Sequence, residues 1–503
     1  MAAKSVNSRN NHFEIGVVFT PTKWGKFAVE QFGIFEEWMA GSTVFDPTMG
    51  NGDLLEALIV TGLKKGYTLK QLPIKSLFGN ELNDDFHAQA IQKFEEKYSV
   101  NMRANFTNKD ILALPSRQYD ILLGNPPWAN FTDLPATYKE EIKEHFFTYD
   151  LAKSGPGLLL GGSRIDIAAL VIQRALLDFL KHSGNAYFFM PLSLLLNDGA
   201  NQQFRTYKIH DISFAPKQVF DFQSTQIFEG VATRYGLVHF KRDEAPSFPI
   251  PYELLENDTW NHRLARPLLE PTNPLSVLKP DEISPLDGFD FIELPKFSSP
   301  RQGINTCGAN AVFFFTECQE LDDTRCLVNG KIELPKKYVH PLLVGANFSQ
   351  EILTAKKWVL LPYSDVGKVL TMEEIKGVPL LCKYLSNHRE ALISRKGSMI
   401  GSAIKRGIWW SLLGVGPYNF ANSKIVWEAY GKSTFNPRIL DGKWQVNQSL
   451  QAYIPFPTKK DAKKTYLAMS NPAIEAYLLS LKMEGTMNWA QPGKIKKLIR
   501  FVD

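Results

Sequence analysis

Cysteine is scarce in this chain, and its few copies follow no metal-binding pattern. Cys307, Cys318, Cys326 and Cys382 are the four in 503 residues, with no C-x-x-C spacing and no close pair of histidines. That excludes a zinc ribbon and a disulfide framework, so reduced thiols and no metal are expected. No signal peptide and no apolar run long enough to span a bilayer is present, which predicts a cytoplasmic protein without a membrane partner. The sequence also lacks G-x-G-x-x-G and a Walker lysine, so neither the dinucleotide fingerprint nor a P-loop is available. Internal repeats and low-complexity tracts are missing. The net charge of +5 is too small to imply nucleic acid by itself. With 44% hydrophobic and 22% charged residues, the composition is that of an ordinary globular protein, long enough for two or three domains.

What the chain does have is Asn125-Pro126-Pro127-Trp128. It follows Tyr119-Asp120-Ile121-Leu122-Leu123-Gly124, an apolar run that reads as a buried strand ending in a turn. An Asn side-chain oxygen and the carbonyl of the next residue can together accept both hydrogens of one planar amino group. That draws the nitrogen lone pair out of conjugation and frees it to attack an electrophile. Two prolines hold those acceptors still, because each fixes φ and offers no competing N–H. The Trp supplies a flat face on which a base can stack. As a bare pattern the tetrapeptide is also an ordinary strand-end turn, so its surroundings decide.

Upstream, Thr43-Val44-Phe45 reads as a strand running into Asp46-Pro47-Thr48-Met49-Gly50-Asn51-Gly52-Asp53, and a helix follows from Leu54. Strand, Gly-rich turn and helix form a nucleotide-binding arrangement, in which glycines let the backbone approach a ligand beside a helix N-terminus. Acids flank both ends of this turn. They would repel a pyrophosphate but suit a cationic ligand with an amino-acid tail and a sulfonium, which favours S-adenosylmethionine over NAD or ATP. Two more acids fall at the next strand ends. Glu81 closes Ser76-Leu77-Phe78-Gly79-Asn80-Glu81, where a carboxylate can chelate ribose hydroxyls. Asp110 closes Asn105-Phe106-Thr107-Asn108-Lys109-Asp110, where it can accept from an adenine amine. Either acid alone is more often a solvated strand-end charge. Their order with the Gly turn and Asn-Pro-Pro-Trp reverses that reading.

Taken together, these motifs resemble those of adenine-N6 DNA methyltransferases of the gamma arrangement, the TaqI-type group. Phe19-Thr20-Pro21-Thr22-Lys23-Trp24 sits where that family has an upstream cofactor motif. Locally it also reads as a helix start, with Thr20 as N-cap and Pro21 in the first turn. The resemblance implies cofactor contacts from Thr20, Pro21, Asp46, Pro47, Thr48, Gly50, Gly52, Glu81, Leu82, Asp110 and Asn125. It implies a catalytic turn of Asn125, Pro126, Pro127 and Trp128. The implied fold is α/β: a class I SAM-dependent methyltransferase with a Rossmann-like seven-stranded sheet over roughly residues 14–242, and a C-terminal α+β target-recognition domain. One departure is visible. Family members commonly offer a second aromatic shortly after the strand ending Met190-Pro191, but Leu194 to Asn201 has none before Phe204. Either Phe204 serves from a shifted position, or the base rests on Trp128 alone; Phe204 also reads as an ordinary core residue.

The expected organisation is a catalytic domain over 1–245, a Pro-rich linker over 246–300 holding ten of thirty prolines, and a specificity domain over 301–503. In that last part, short strands are expected at 356–361 and 424–428, helices near 461–469 and 472–482, and Trp409-Trp410 in the core. Arg301, Gln302, Asn305, Lys405 and Arg406 are candidates for phosphate or base contact. From Lys459 to Asp503 nine Lys/Arg face four Asp/Glu, a surplus of +5 that reads as a solvated face or a phosphate contact. Tyr138 to Gly162, rich in glycine at its end, reads as a mobile segment beside the pocket. The implied partner is double-stranded DNA, from which a target adenine must be extruded. Only Met1 to Val18 precede the first motif and no nuclease motif follows, so a stand-alone modification enzyme is expected, with any restriction endonuclease a separate protein. Alternatives are an RNA base methyltransferase, a methyltransferase of protein glutamine, and a catalytically silent DNA-binding subunit.

Overall fold

The computed structural model describes residues 19–152, 165–197, 201–223, 225, 227–228, 233–267, 269–282, 289–345, 350, 353–431, 434–448, 451–481 and 489–502. The chain divides into two compact units, Met1–Ser284 and Pro285–Asp503.

The first unit is built on one sheet. Its parallel strands are β1 (Val44–Asp46), β2 (Leu77–Glu81), β3 (Phe106–Asn108), β4 (Tyr119–Gly124) and β5 (Leu180–Pro191). These strands are nearly continuous apolar runs because helices cover both faces. The helices are α1 (Thr22–Gln31), α2 (Ile34–Met39), α3 (Asp53–Lys64), α4 (Asp84–Tyr98), α5 (Ala136–Thr148), α6 (Ile167–Asp178) and the single turn α7 (Ser193–Leu196). Alternation along β1 and β4 sends Phe45 and Leu122 into one core and Val44, Ile121 and Leu123 into the other. The first core lies under α5 and α6, the second under α2, α3 and α4.

Antiparallel strands complete the sheet: β6 (Lys208–Ile209), β7 (Ile212–Asp221) and β8 (Tyr235–Arg242), with β8 between β5 and β7. The order β3-β2-β1-β4-β5-β8-β7 is a seven-stranded core, and it reverses direction at β1, which pairs in parallel with both β2 and β4. A crevice for ligand opens at such a reversal, outside the strands' C-terminal ends.

The stretch 246–300, expected as a linker, is instead folded. It forms β9 (Ile250–Glu256), β10 (Thr259–Pro267) and β11 (Leu275–Leu278), which carry the sheet to eleven strands. Two of its prolines, Pro251 and Pro267, lie within these strands, opposite Leu264 and Leu275. β9 pairs with β7 only through Tyr252 to Leu254, which leaves Pro251 outside that register, and Pro267 ends β10. The division between units accordingly falls after 284, and the strand Ile292–Pro295 pairs in parallel with Ile499–Val502 in the second unit.

That second unit is α+β. One four-stranded sheet runs Arg301–Gln302, Gln451–Phe456, Ser423–Glu428, Arg438–Asp441, all antiparallel. A second joins Phe314–Phe315, Trp358–Leu360, Val339–Leu343 and Gln445–Val446, and a three-stranded meander spans Cys318 to Pro335. Its helices include Lys459–Met469 and Pro472–Ser480. Trp409 and Trp410 are buried, packed edge-to-face 5.2 Å apart. Of the C-terminal cations, Lys494 is buried, with Nζ donating to the carbonyls of Trp489 (3.1 Å) and Leu481 (3.3 Å), so it holds its own unit together. No helix among the described residues is long and apolar enough to cross a membrane.

Candidate active site

β1 ends in Asp46, and the turn Pro47–Gly52 then folds back to start α3. Gly50 and Gly52 both take left-handed φ, +55° and +81°, so the turn needs residues without a Cβ. A Cβ on Gly50 would stand 3.0 Å from the Phe19 ring. Asn80, buried at the end of β2, stitches the floor. Its Nδ2 donates to the carbonyls of Pro47 (3.2 Å) and Lys109 (3.0 Å), and its main-chain carbonyl accepts from Met49 N at 2.8 Å. One side chain therefore ties the ends of β1, β2 and β3 together. Gly124 lets β4 approach the same turn, since a Cβ there would meet Pro47 at 3.1 Å.

The cleft above this floor encloses about 940 Å³ including its open mouth. Thr20, Asp46, Thr48, Gly50, Glu81, Leu82, Asp110, Asn125 and Pro127 line it. Pro21, Pro47, Gly52, Pro126 and Trp128 do not: Pro21 precedes α1, Gly52 precedes α3, and Pro47 and Pro126 shape the turns from behind. Sequence reasoning missed Phe19, Asn80, Phe86, Tyr138 and the apolar wall of Ile111, Leu112, Ile167 and Val171. The apolar pair directly after Asp110 was the available signal for part of that wall; Tyr138 begins the segment expected beside the pocket, but its ring was not singled out.

Among the described residues the lining carries four acids, Asp46, Asp53, Glu81 and Asp110, and no Lys or Arg. Glu81 accepts from Gly50 N through one carboxylate oxygen and from Asn83 N through the other, both at 2.8 Å. Each oxygen keeps a second acceptor site. Burial raises the Glu81 carboxyl above its ordinary range, partly offset by these bonds. Asp110 accepts from Leu112 N at 2.8 Å.

Asp46 is fully buried and accepts from Thr48 N at 3.0 Å. Burial pushes its carboxyl well above the ordinary range, outweighing the Thr48 bond, and nearby Glu81 and Asp53 add to the rise. The folded chain thus holds this proton more tightly than the unfolded chain does. The stability involved is present below the unfolded pKa and is lost as pH rises toward the folded one. Asp46→Asn is expected to raise the thermal midpoint at pH 7 by a few degrees and to weaken cofactor binding. The stability gain closes as pH falls to about 4. A melting series over pH that finds the variant less stable at neutrality would contradict this.

The turn Asn125–Trp128 is held at both ends. On one side is β4; on the other, Ile167 N donates to Ala129 O and Phe131 N to Ile165 O, each at 2.8 Å. The Asn125 carboxamide Nδ2 donates to Thr20 Oγ1 at 3.1 Å, and the Asn125 carbonyl accepts from Thr48 Oγ1 at 3.2 Å. Thr20 therefore does not act as the expected N-cap. Pro21 holds that position, without a side-chain capping bond, because the Thr20 hydroxyl is turned to Asn125.

The ring beside Trp128 is not Phe204. Phe204 is buried and meets Phe240 edge-on at 6.2 Å, as a core residue does. Phe228 meets Trp128 edge-to-face at 5.0 Å, and Tyr235 lies tilted against it at 5.3 Å. Phe228 comes from the β7–β8 connection and Tyr235 opens β8; no local pattern links either to residue 128. The Tyr235 hydroxyl accepts from Ile227 N (2.8 Å) and Phe228 N (3.3 Å) and donates to Thr225 O (2.9 Å). Tyr235→Phe strands two buried donors and is expected to cost about 1–3 kcal/mol. A denaturant midpoint equal to that of the parent protein would refute this account of the turn. Residues 155–157 and 161–162, expected to be mobile, and Asp198 to Ala200 lie outside the described residues, while Tyr138 itself belongs to the regular helix α5.

Comparison with known proteins bears on what this cleft belongs to. Across residues 56–228 the chain matches the Eco57I restriction-modification methylase family. It is 25% identical over 186 residues to the modification methylase CviBIII of Paramecium bursaria Chlorella virus NC1A, covering 36% of this chain and 42% of that one. It is 24% identical over 227 residues to the type II methyltransferase M.HincII of Haemophilus influenzae, covering 45% of this chain and 37% of that one. The chain thus spans about two fifths of the length of these curated relatives. Among solved structures, the type IIL restriction-modification enzyme MmeI in complex with DNA superposes with a TM-score of 0.54 at 13% identity, over 93% of this chain and 63% of that one. The fold is that of a class I S-adenosylmethionine-dependent methyltransferase. Among the described residues no group of three or more His, Cys, Asp or Glu is placed to hold a metal.

Proposed function

We propose that this chain is a site-specific DNA methyltransferase that transfers a methyl group from S-adenosylmethionine to the N6 amine of an adenine extruded from duplex DNA. The observation that carries this reading is that Asn125 and Pro127 line the same cleft as Asp46, Glu81 and Asp110. The turn that carries the amine-gripping Asn125 therefore borders an anionic, apolar-walled seat.

The residues present fit the cofactor. The Gly50 turn leaves room that a Cβ would take, and the four acids of the lining suit a positively charged ligand. Glu81 is the group for the ribose hydroxyls, Asp110 for the adenine amine, and Thr20 with Asp46 for the amino-acid end. Bound S-adenosylmethionine supplies an electrophilic methyl group on sulfur. Ile111, Leu112, Ile167 and Val171 exclude water around it.

On this reading the Asn125 carboxamide oxygen and the Pro126 carbonyl accept the two hydrogens of the target amine and present its lone pair. Thr20 Oγ1 fixes the rotation of that carboxamide by taking its Nδ2 hydrogen. Trp128, braced by Phe228 and Tyr235, offers one face to the base. Adenine inside a duplex cannot reach these acceptors, so the nucleotide leaves the stack at a cost of about a few kcal/mol. The second unit, as a target-recognition domain gripping the duplex, offsets that cost. Its relatives' names support a role in restriction-modification, with cleavage by a separate endonuclease in the cytoplasm of the host cell.

The test is transfer of labelled methyl from the cofactor to duplex DNA, tRNA or a protein mixture, with Asn125→Ala as control. Label recovered as N6-methyladenine in DNA alone is expected. Label in RNA or protein instead would sink the reading, as would cofactor binding without transfer to any of them.

A further inference from the structure

The second unit holds a cleft whose lining, among the described residues, carries no charged side chain; Ile304, Asn305, Tyr430 and Gln448 are among its walls. We infer that Gln448 in this cleft reads the edge of an adenine in the recognised duplex, oriented by Gln302 and Tyr430; this rests on DNA being the substrate.

Three distant segments build the cleft, and main-chain bonds fix them. Ile304 N donates to Val446 O at 2.6 Å and Gln448 N to Ile304 O at 3.1 Å, while Asn305 and Leu413 exchange both backbone bonds at 2.9 and 3.0 Å. Gly303 makes the approach possible, since a Cβ there would stand 2.3 Å from the Val446 carbonyl. Gln302 sits on a strand opposite Ala452, and Tyr430 follows the strand Ser423–Glu428. The walls are thus set before any ligand arrives, which lowers the ordering cost of binding.

The side chains form a one-way chain of hydrogen bonds. Gln448 Nε2 donates to Gln302 Oε1 at 3.1 Å, and Gln302 Nε2 donates to Tyr430 Oη at 2.6 Å. This locks the plane of the Gln448 carboxamide and spends only one of its two hydrogens. One N–H and the Oε1 acceptor of the same amide remain for a ligand. A glutamine with both free groups in one plane is the side chain that pairs bidentately with adenine, N–H to N7 and Oε1 to the N6 amine. Among the described residues the lining holds no cation, the group that dominates phosphate contact. The neutral donor and acceptor pair fits a base edge. Gln302 and Tyr430 are positioning residues, because they act through Gln448.

Selection of tight binders from a random duplex pool, followed by sequencing, tests the assignment without depending on methyl transfer. The full chain is expected to enrich a motif with a fixed adenine. Gln448→Ala should relax that one position, with a loss of discrimination of roughly tenfold or more. Gln448→Glu leaves only acceptors and should shift the preferred base there from adenine to cytosine. Tyr430→Phe, which removes a single oxygen, should relax the same position less. A parent chain that enriches no motif overturns the inference. So do variants that enrich an unchanged motif, or variants whose affinity drops equally for all sequences while cofactor binding is intact. A motif that shifts as expected in a protein that transfers no methyl group would overturn only the proposed activity.

Discussion

Asn125→Ala is expected to lower methyl transfer to duplex DNA by about 10²–10³-fold, the range found when one preorganised polar group at a reacting centre is removed. Cofactor affinity should change little. The Asn125 main-chain carbonyl that accepts from Thr48 survives the substitution, and the Gly50–Glu81 bond does not involve it. What disappears is one of two acceptors for the amine, together with the carboxamide whose rotation Thr20 fixes. Asn125→Asp keeps an acceptor oxygen and should retain more activity than alanine. Single-turnover rates with saturating cofactor separate the chemical step from binding. A rate within about threefold of the parent would remove Asn125 from the reaction and leave the tetrapeptide as a structural turn.

The largest stability effect is expected at Asp221. Its carboxylate is fully buried, and it accepts from Arg234 Nε at 2.9 and 3.1 Å, from Arg234 Nη2, from the Tyr252 hydroxyl and from Gln223 N at 2.8 Å. Burial, with the Asp221 charge beside it, holds the Tyr252 phenol well above its ordinary range, so the hydroxyl stays a donor. Asp221→Ala removes the acceptor from all of them. Breaking a buried ion pair on one side costs about 3–5 kcal/mol, and the partial exposure of Arg234 places the loss toward the lower figure. Equilibrium denaturation would read it as a shifted midpoint at unchanged slope. A loss below about 1 kcal/mol would mean that water replaces the carboxylate and that the network does little. Because Asp221 ends β7 where the connection to Phe228 begins, weaker packing against Trp128 should accompany the loss.

Much of the cleft was legible in the sequence because its polar groups sit at the ends of consecutive parallel strands. Asp46 and Glu81 each close a strand with an apolar stretch, Asn125 directly follows one, Asp110 lies just past β3, and the parallel order brings those ends to one edge. The rest depended on contacts that no local pattern encodes. Phe228 and Tyr235 reach Trp128 across 100 and 107 positions, through the antiparallel β5–β8–β7 arrangement. Thr20 read as a cap because its spacing to Pro21 allows one, but a partner 105 residues away claims its hydroxyl. The Pro-rich stretch misled for a different reason. Proline cannot donate to the ladder, yet Pro251 and Pro267 both lie within strands. In the second unit the Gln448–Gln302–Tyr430 relay joins residues 146 and 128 positions apart, a separation that no local pattern encodes.

The strands after residue 245 set a rule for anyone expressing the first unit by itself. A truncation at 245 would bare the outer edge of β7, an invitation to intermolecular strand pairing, and would delete the tyrosine that caps the Asp221 carboxylate. Such a fragment should aggregate, whereas one ending just beyond Leu278 keeps its own edge strand and should remain monodisperse on a sizing column.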